Sequence, residues 1–159
     1  AVYYRILMSK VRGRKIYTLI GFDDNNSSSS KKIIEILEFV NKEPRFGARV
    51  FRYPNNELNA SNPARYVMEF KKDAGPRLNY DEEMNMIIIE HLVSQSGEPN
   101  KKSTLVGDGD YDGFKWANGK WVFVNKIFKD ITPEGKEPVP MPIRDAKGNI
   151  DDSKLKQEN

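Results

Sequence analysis

The 159-residue chain contains no cysteine and only one histidine, His91. Without cysteine there are no disulfides, no thiolate nucleophile and no cysteine-ligated zinc. A single histidine rules out a histidine-pair metal site and any acid–base scheme that needs two imidazoles. No run of 18 apolar residues occurs, so no helical membrane span is expected. Neither a phosphate-cradling glycine loop nor a dinucleotide fingerprint is present. A dominant charge is missing too: 26 Lys and Arg stand against 23 Asp and Glu, for a net charge of +3. The pairs Lys31-Lys32, Lys71-Lys72 and Lys101-Lys102 are dispersed, and without a clustered patch this balance does not point to nucleic acid. The chain opens in a strand-like run, AVYYRILM, with none of the features of a signal peptide.

What the chain does have is aromatic and β-branched alternation. Eight Phe, seven Tyr and two Trp supply large core residues. Asn118-Gly119 lies between two alternating runs, and this dipeptide favours a type I′ hairpin turn because both central residues need φ > 0. That turn pairs Trp116 with Trp121 and Phe114 with Phe123. All four rings then fall on one face of the hairpin. The face reads first as a wall of the core. Its sharper reading is a stacking platform for a sugar or peptide, which requires exposed rings.

Residues 2–10 and 14–22 read as a hairpin turning at Arg12-Gly13. Residues 31–40, KKIIEILEFV, suit either a helix or a buried strand. We read them as a strand of a second hairpin returning through RFGARVFRY, with a bulge or close backbone approach at Gly47. Residues 64–72 alternate as a strand, and RLNY with MNMIIIEHLV form a third hairpin whose continuous apolar centre implies burial on both faces. Asn59-Ala60-Ser61 fits a glycosylation sequon in a surface loop. The expected fold is all-β, an antiparallel meander of about eight or nine strands closing as a barrel or stacking as a sandwich. It forms a single domain over 1–128. Residues 129–159 read as an extended, partly disordered tail rich in proline.

Candidate chemistry is sparse. Asp108, Asp110 and Asp112 precede Gly113 in the pattern that opens a calcium loop, since alternate carboxylates can converge on a hard cation. The closing glutamate is missing, because the twelfth position is Gly119, and a turn-rich entry to the hairpin competes with this reading. No other cofactor is expected. His91 follows Glu90 at the end of an apolar strand and reads as a strand-end residue rather than a base. Paired carboxylates such as Glu69 and Glu90 would suit glycoside hydrolysis if a cleft set them roughly 5–10 Å apart.

The blocks KIYTLIGFD, SKKIIEIL, FGARVF, RLNYDEEMNMIIIEHL and YDGFKWANGKW, in this order over about residues 2–128, resemble a group of uncharacterised exported Bacteroidetes proteins. Phe22 stands where many of that group carry tryptophan. The resemblance implies a periplasmic, outer-membrane-associated or secreted setting and a piece of a longer precursor; it implies no activity. The expected function is a non-catalytic module binding a glycan, peptide or protein of the cell envelope. A polysaccharide hydrolase and a structural domain docking into a larger assembly are the alternatives.

Overall fold

The computed structural model describes residues 1–54 and 63–128. The sequon at Asn59 and the tail at 129–159 lie outside the described residues. Within Ala1–Phe128, which forms one compact unit, the described residues make ten strands. In chain order these are β1 (Val2–Val11), β2 (Arg14–Asp23), β3 (Ser29–Val40), β4 (Glu43–Phe46), β5 (Phe51–Arg52), β6 (Arg65–Lys71), β7 (Leu78–Asp81), β8 (Met86–Ser94), β9 (Leu105–Ala117) and β10 (Lys120–Val124).

The strands form two five-stranded sheets rather than a closed barrel. In the first sheet β1, β2 and β3 follow as a meander. The far side of β3 is shared, with β4 against Leu37–Val40 and β6 against Ser29–Glu35. The second sheet runs β5-β10-β9-β8-β7, and only the short β5–β10 pair is parallel. The chain changes sheet three times, at β4–β5, β5–β6 and β6–β7. After Gly47, at φ +87°, the chain leaves β4 and crosses to the second sheet as β5 before returning as β6.

The ambiguous segment at 31–40 is a strand. Apolar residues on both its faces suit a central position between β2 and the β4/β6 pair. One face carries Ile34 and Ile36 into the core, where Ile16, Ile20, Met68 and Phe70 of the same sheet meet Leu78, Ile87, Ile89, Phe114 and Trp121 of the other. Met86 to Ile89 are all buried, as the continuous apolar run implied.

The opposite face of the first sheet is also apolar, but open. Cross-strand partners set Met8, Tyr17, Leu37 and Phe46 in one row across it. Ile6, Met8, Phe39, Phe46 and Val67 all remain exposed. Glu35 and its cross-strand partner Leu19 are buried on this face, and the Glu35 carboxylate accepts Tyr3 Oη at 2.6 Å and pairs with the Arg65 guanidinium at 2.7 Å.

Candidate functional site

The aromatic hairpin forms as its sequence predicts. Asn118 and Gly119 sit at φ +50° and +76°, and Trp116 pairs with Trp121 and Phe114 with Phe123. The four rings do not make one exposed platform, however. Phe114 and Trp121 are closed into the core at 0% and 2% exposure. The Trp116–Trp121 and Phe114–Phe123 pairs are both edge-on, with planes inclined at 66°. Edge-on packing joins the rings to one another and does not present a row of flat faces. Trp116 and Phe123 are half-buried and line different clefts.

The cleft at Trp116 is the candidate site. It has a volume of ≈ 420 Å³ and is lined by Arg5–Ser9 of β1, by Tyr80, Glu82 and Asn85 around the β7–β8 turn, and by Trp116 and Trp121. Tyr4 Oη donates to Leu78 O at 2.6 Å and ties the start of β1 to β7. The hairpin tip at Gly119 lies against Val11 at the other end of β1. The cleft lies between these two ties. Arg5 pairs with Glu82 and lies 5.8 Å from the Tyr80 ring centroid, while Tyr80 Oη bonds Asn85 Oδ1. The result is an aromatic wall with a fixed polar lip. Such a surface suits recognition of a bound chain better than proton transfer, because the acid on the lip is held in an ion pair.

A second cleft, of ≈ 460 Å³, lies between β6 and β8 and holds His91 with Tyr66, Lys102 and Asp112 along its walls. Here the fold makes a pairing that the sequence reading did not anticipate. Opposite His91 the β8–β9 register shifts, β9 bulges at Asp108–Asp110, and His91 Nδ1 meets Asp108 Oδ2 at 2.7 Å. Partial desolvation pulls the Asp108 carboxyl upward. The His91 contact and the Asp110 N–H outweigh it, and its pKa lies below the ordinary value. The only sequence signal was Gly109 between two aspartates, a place where a strand can bulge. Among the described residues no Ser or Thr lines this cleft, so the imidazole has no aliphatic hydroxyl to activate there.

Of the three calcium candidates, the Asp108 and Asp112 carboxylates are engaged separately. Asp108 bonds His91 and the Asp110 N–H, and Asp112 Oδ1 accepts the Lys126 N–H at 2.9 Å. They belong to β9 itself rather than to a turn ahead of the hairpin. Among the described residues no cluster of three or more His, Asp or Glu side chains is placed to hold a metal ion.

Glu69 and Glu90, the two glutamates considered for acid–base work, both line this second cleft, and each carboxylate is engaged by its own neighbours. Glu69 accepts Ser29 Oγ at 2.6 Å and Asn25 Nδ2 at 3.1 Å, with Lys31 Nζ at 3.7 Å. Glu90 accepts the Arg77 N–H at 2.7 Å and lies against Gly107, where a Cβ would collide with its carboxylate.

Compared with protein-family models, curated proteins and solved structures, the chain matches none. Among the described residues no helix is long and apolar enough to cross a membrane, which leaves spanning by strands unaddressed.

Proposed function

We propose that this chain is a non-catalytic β-sandwich module that binds a peptide or protein partner through the cleft between β1 and the Trp116 wall. The observation that carries this reading is the cleft itself. A half-buried tryptophan, a tyrosine and the Arg5–Glu82 ion pair line an open strand edge around ≈ 420 Å³. Large rigid rings beside fixed polar groups are the usual composition of binding surfaces. The setting, a secreted or envelope protein, comes from the sequence resemblance. A glycan would need flat, exposed ring faces, and the buried Phe114 and Trp121 do not supply them.

Tryptophan fluorescence tests this directly, because Trp116 and Trp121 are the only two in the chain. Iodide is expected to quench one population and spare the other, and a bound partner should shield the quenchable one. Equal protection of both rings in the free protein would overturn the reading.

A second reading, a structural domain docking into a larger assembly, is favoured by one observation: the apolar row Met8, Tyr17, Leu37 and Phe46 on the open face of the first sheet. Exposed contiguous apolar surface usually marks an interaction site. Reversible self-association abolished by Phe46→Ser would support this reading; a monomer at all concentrations would argue against self-docking.

A further inference from the structure

The same cleft carries a more specific inference, which rests on the binding reading above. Five consecutive residues of β1, Arg5 to Ser9, line it. Side chains alternate between the two faces of a strand, so a surface met by five in succession runs along the strand's edge. Among the described residues β1 pairs only with β2, and its other edge is open. Edge strands present unpaired N–H and C=O groups, and proteins normally guard them with proline, charge or bulges. Here the guards stand at the beginning. The register shifts between Tyr3 and Arg5, Tyr4 is tied to Leu78, and Arg5 is pinned to Glu82. From Ile6 to Ser9 no guard remains, and Ile6 and Met8 are 62% and 55% exposed.

At its β1–β2 end the charge beside this edge is one-sided. Lys10, Arg12, Arg14 and Lys15 cluster at the β1–β2 turn; all four are exposed, and none has an ion-pair partner among the described residues. This argues against a second copy of the chain as the occupant. Antiparallel self-pairing over Ile6–Ser9 sets Arg5 of one copy opposite Lys10 of the other, and like charges directly across a strand pair are unfavourable.

We propose that the open edge of β1 captures an extended segment of another protein as an added antiparallel strand. The segment is acidic at its amino-terminal end and apolar at alternate positions beyond it. Backbone groups of Ile6–Ser9 supply the hydrogen bonds, one set of side chains enters the cleft beside Trp116 and Tyr80, and the other flanks Ile6 and Met8. The acidic end lies against the Lys10–Lys15 turn. Strand addition of this kind draws affinity from the backbone and specificity from alternate side chains.

The test uses the full chain and a synthetic peptide, acetyl-Asp-Glu-Asp-Val-Thr-Val-Thr-Val-amide. Binding should shift the Trp116 emission and slow amide exchange in β1 over Ile6–Lys10. A probe N-methylated at alternate residues should bind roughly tenfold more weakly, since it keeps the side chains and loses the ladder. Arg14→Glu with Lys15→Glu, both exposed and unpaired, should weaken binding roughly fivefold or more, with a smaller salt dependence. Equal affinity for the N-methylated probe, protection outside β1, or concentration-dependent protection of β1 without peptide would each overturn the inference. Should the probe fail while another peptide or a glycan moves the Trp116 signal, the inference falls and the binding reading stands. Should nothing move it across peptide, protein and glycan panels, the binding reading falls as well.

Discussion

Trp121 Nε1 donates to Thr18 Oγ1 at 2.9 Å across the interior of the sandwich, joining residues 103 positions apart. Trp121 belongs to β10 of the second sheet and Thr18 to β2 of the first, and both are almost fully buried. Each would otherwise bury an unpaired polar group, which is costly in a dry core. The bond therefore lets a tryptophan serve as core while fixing how one sheet sits over the other.

Removing both partners should cost less than the two single removals added together. Trp121→Phe or Thr18→Val alone is expected to lower the unfolding free energy by about 1–3 kcal/mol, because the remaining polar atom stays buried and unpaired. In the double variant the loss should be less than the sum. Urea unfolding of the four proteins completes the cycle; strict additivity would mean that the bond contributes nothing.

Glu35 poses a similar question on the open face. Its carboxylate holds both Tyr3 and Arg65. Glu35→Ala is expected to destabilise by about 1–3 kcal/mol, since Tyr3 loses its acceptor and the packed site loses its anion. Thermal melts would show this as a lowered midpoint, and an unchanged midpoint would contradict it.

Alkaline pH should act through the tyrosines. Desolvation pushes buried Tyr53 and the partly exposed Tyr3 and Tyr4 up to about 12 from 10.0, and at Tyr3 the hydrogen bond to Glu35 adds to the effect. A pKa raised by folding means that the neutral phenol is favoured in the native state. The corresponding stability is whole below pH 10 and is lost as pH rises through about 12. Phenolate absorbance should accordingly show a late-titrating group of tyrosines, with unfolding in the same window. Titration of every tyrosine near 10 in the folded protein would refute the prediction.

In acid, Asp108 is one of three carboxylates, with Asp23 and Glu98, held below their ordinary values among the described residues. Its depressed pKa means a contribution present above the ordinary value of 3.8 and lost as pH falls through the folded value,. His91→Ala should move the Asp108 carboxyl back toward 3.8, as read by side-chain carboxyl NMR. No movement would show that the Asp110 N–H alone holds it down.

Gly113 tests the packing of the second sheet. A Cβ added there would stand 2.5 Å from Ile87 O and 2.7 Å from Met86 Cε. Backbone on one side cannot yield, so Gly113→Ala should destabilise by about 1–3 kcal/mol through overpacking. Denaturant midpoints would register it.

Local chemistry alone determined the hairpins of this chain. Asn118-Gly119 and Arg12-Gly13 place positive φ where tight turns need it, and alternation then sets every cross-strand pair of β9 and β10. The pairing of Trp116 with Trp121 was legible for that reason, as was the burial of Met86–Ile89. Which face of a strand is buried, and against what, depends on partners far away in sequence. Thus 31–40 reads as a strand with a helix as its rival, and only the flanking β2, β4 and β6 decide between them; the four-ring face likewise divided into core and cleft only when the first sheet stacked upon it. The crossing of β5 to β10, the His91–Asp108 contact across a bulge and the cleft beside the open edge of β1 are all non-local. Tertiary packing decided them, because no single segment contains both halves of any of these contacts.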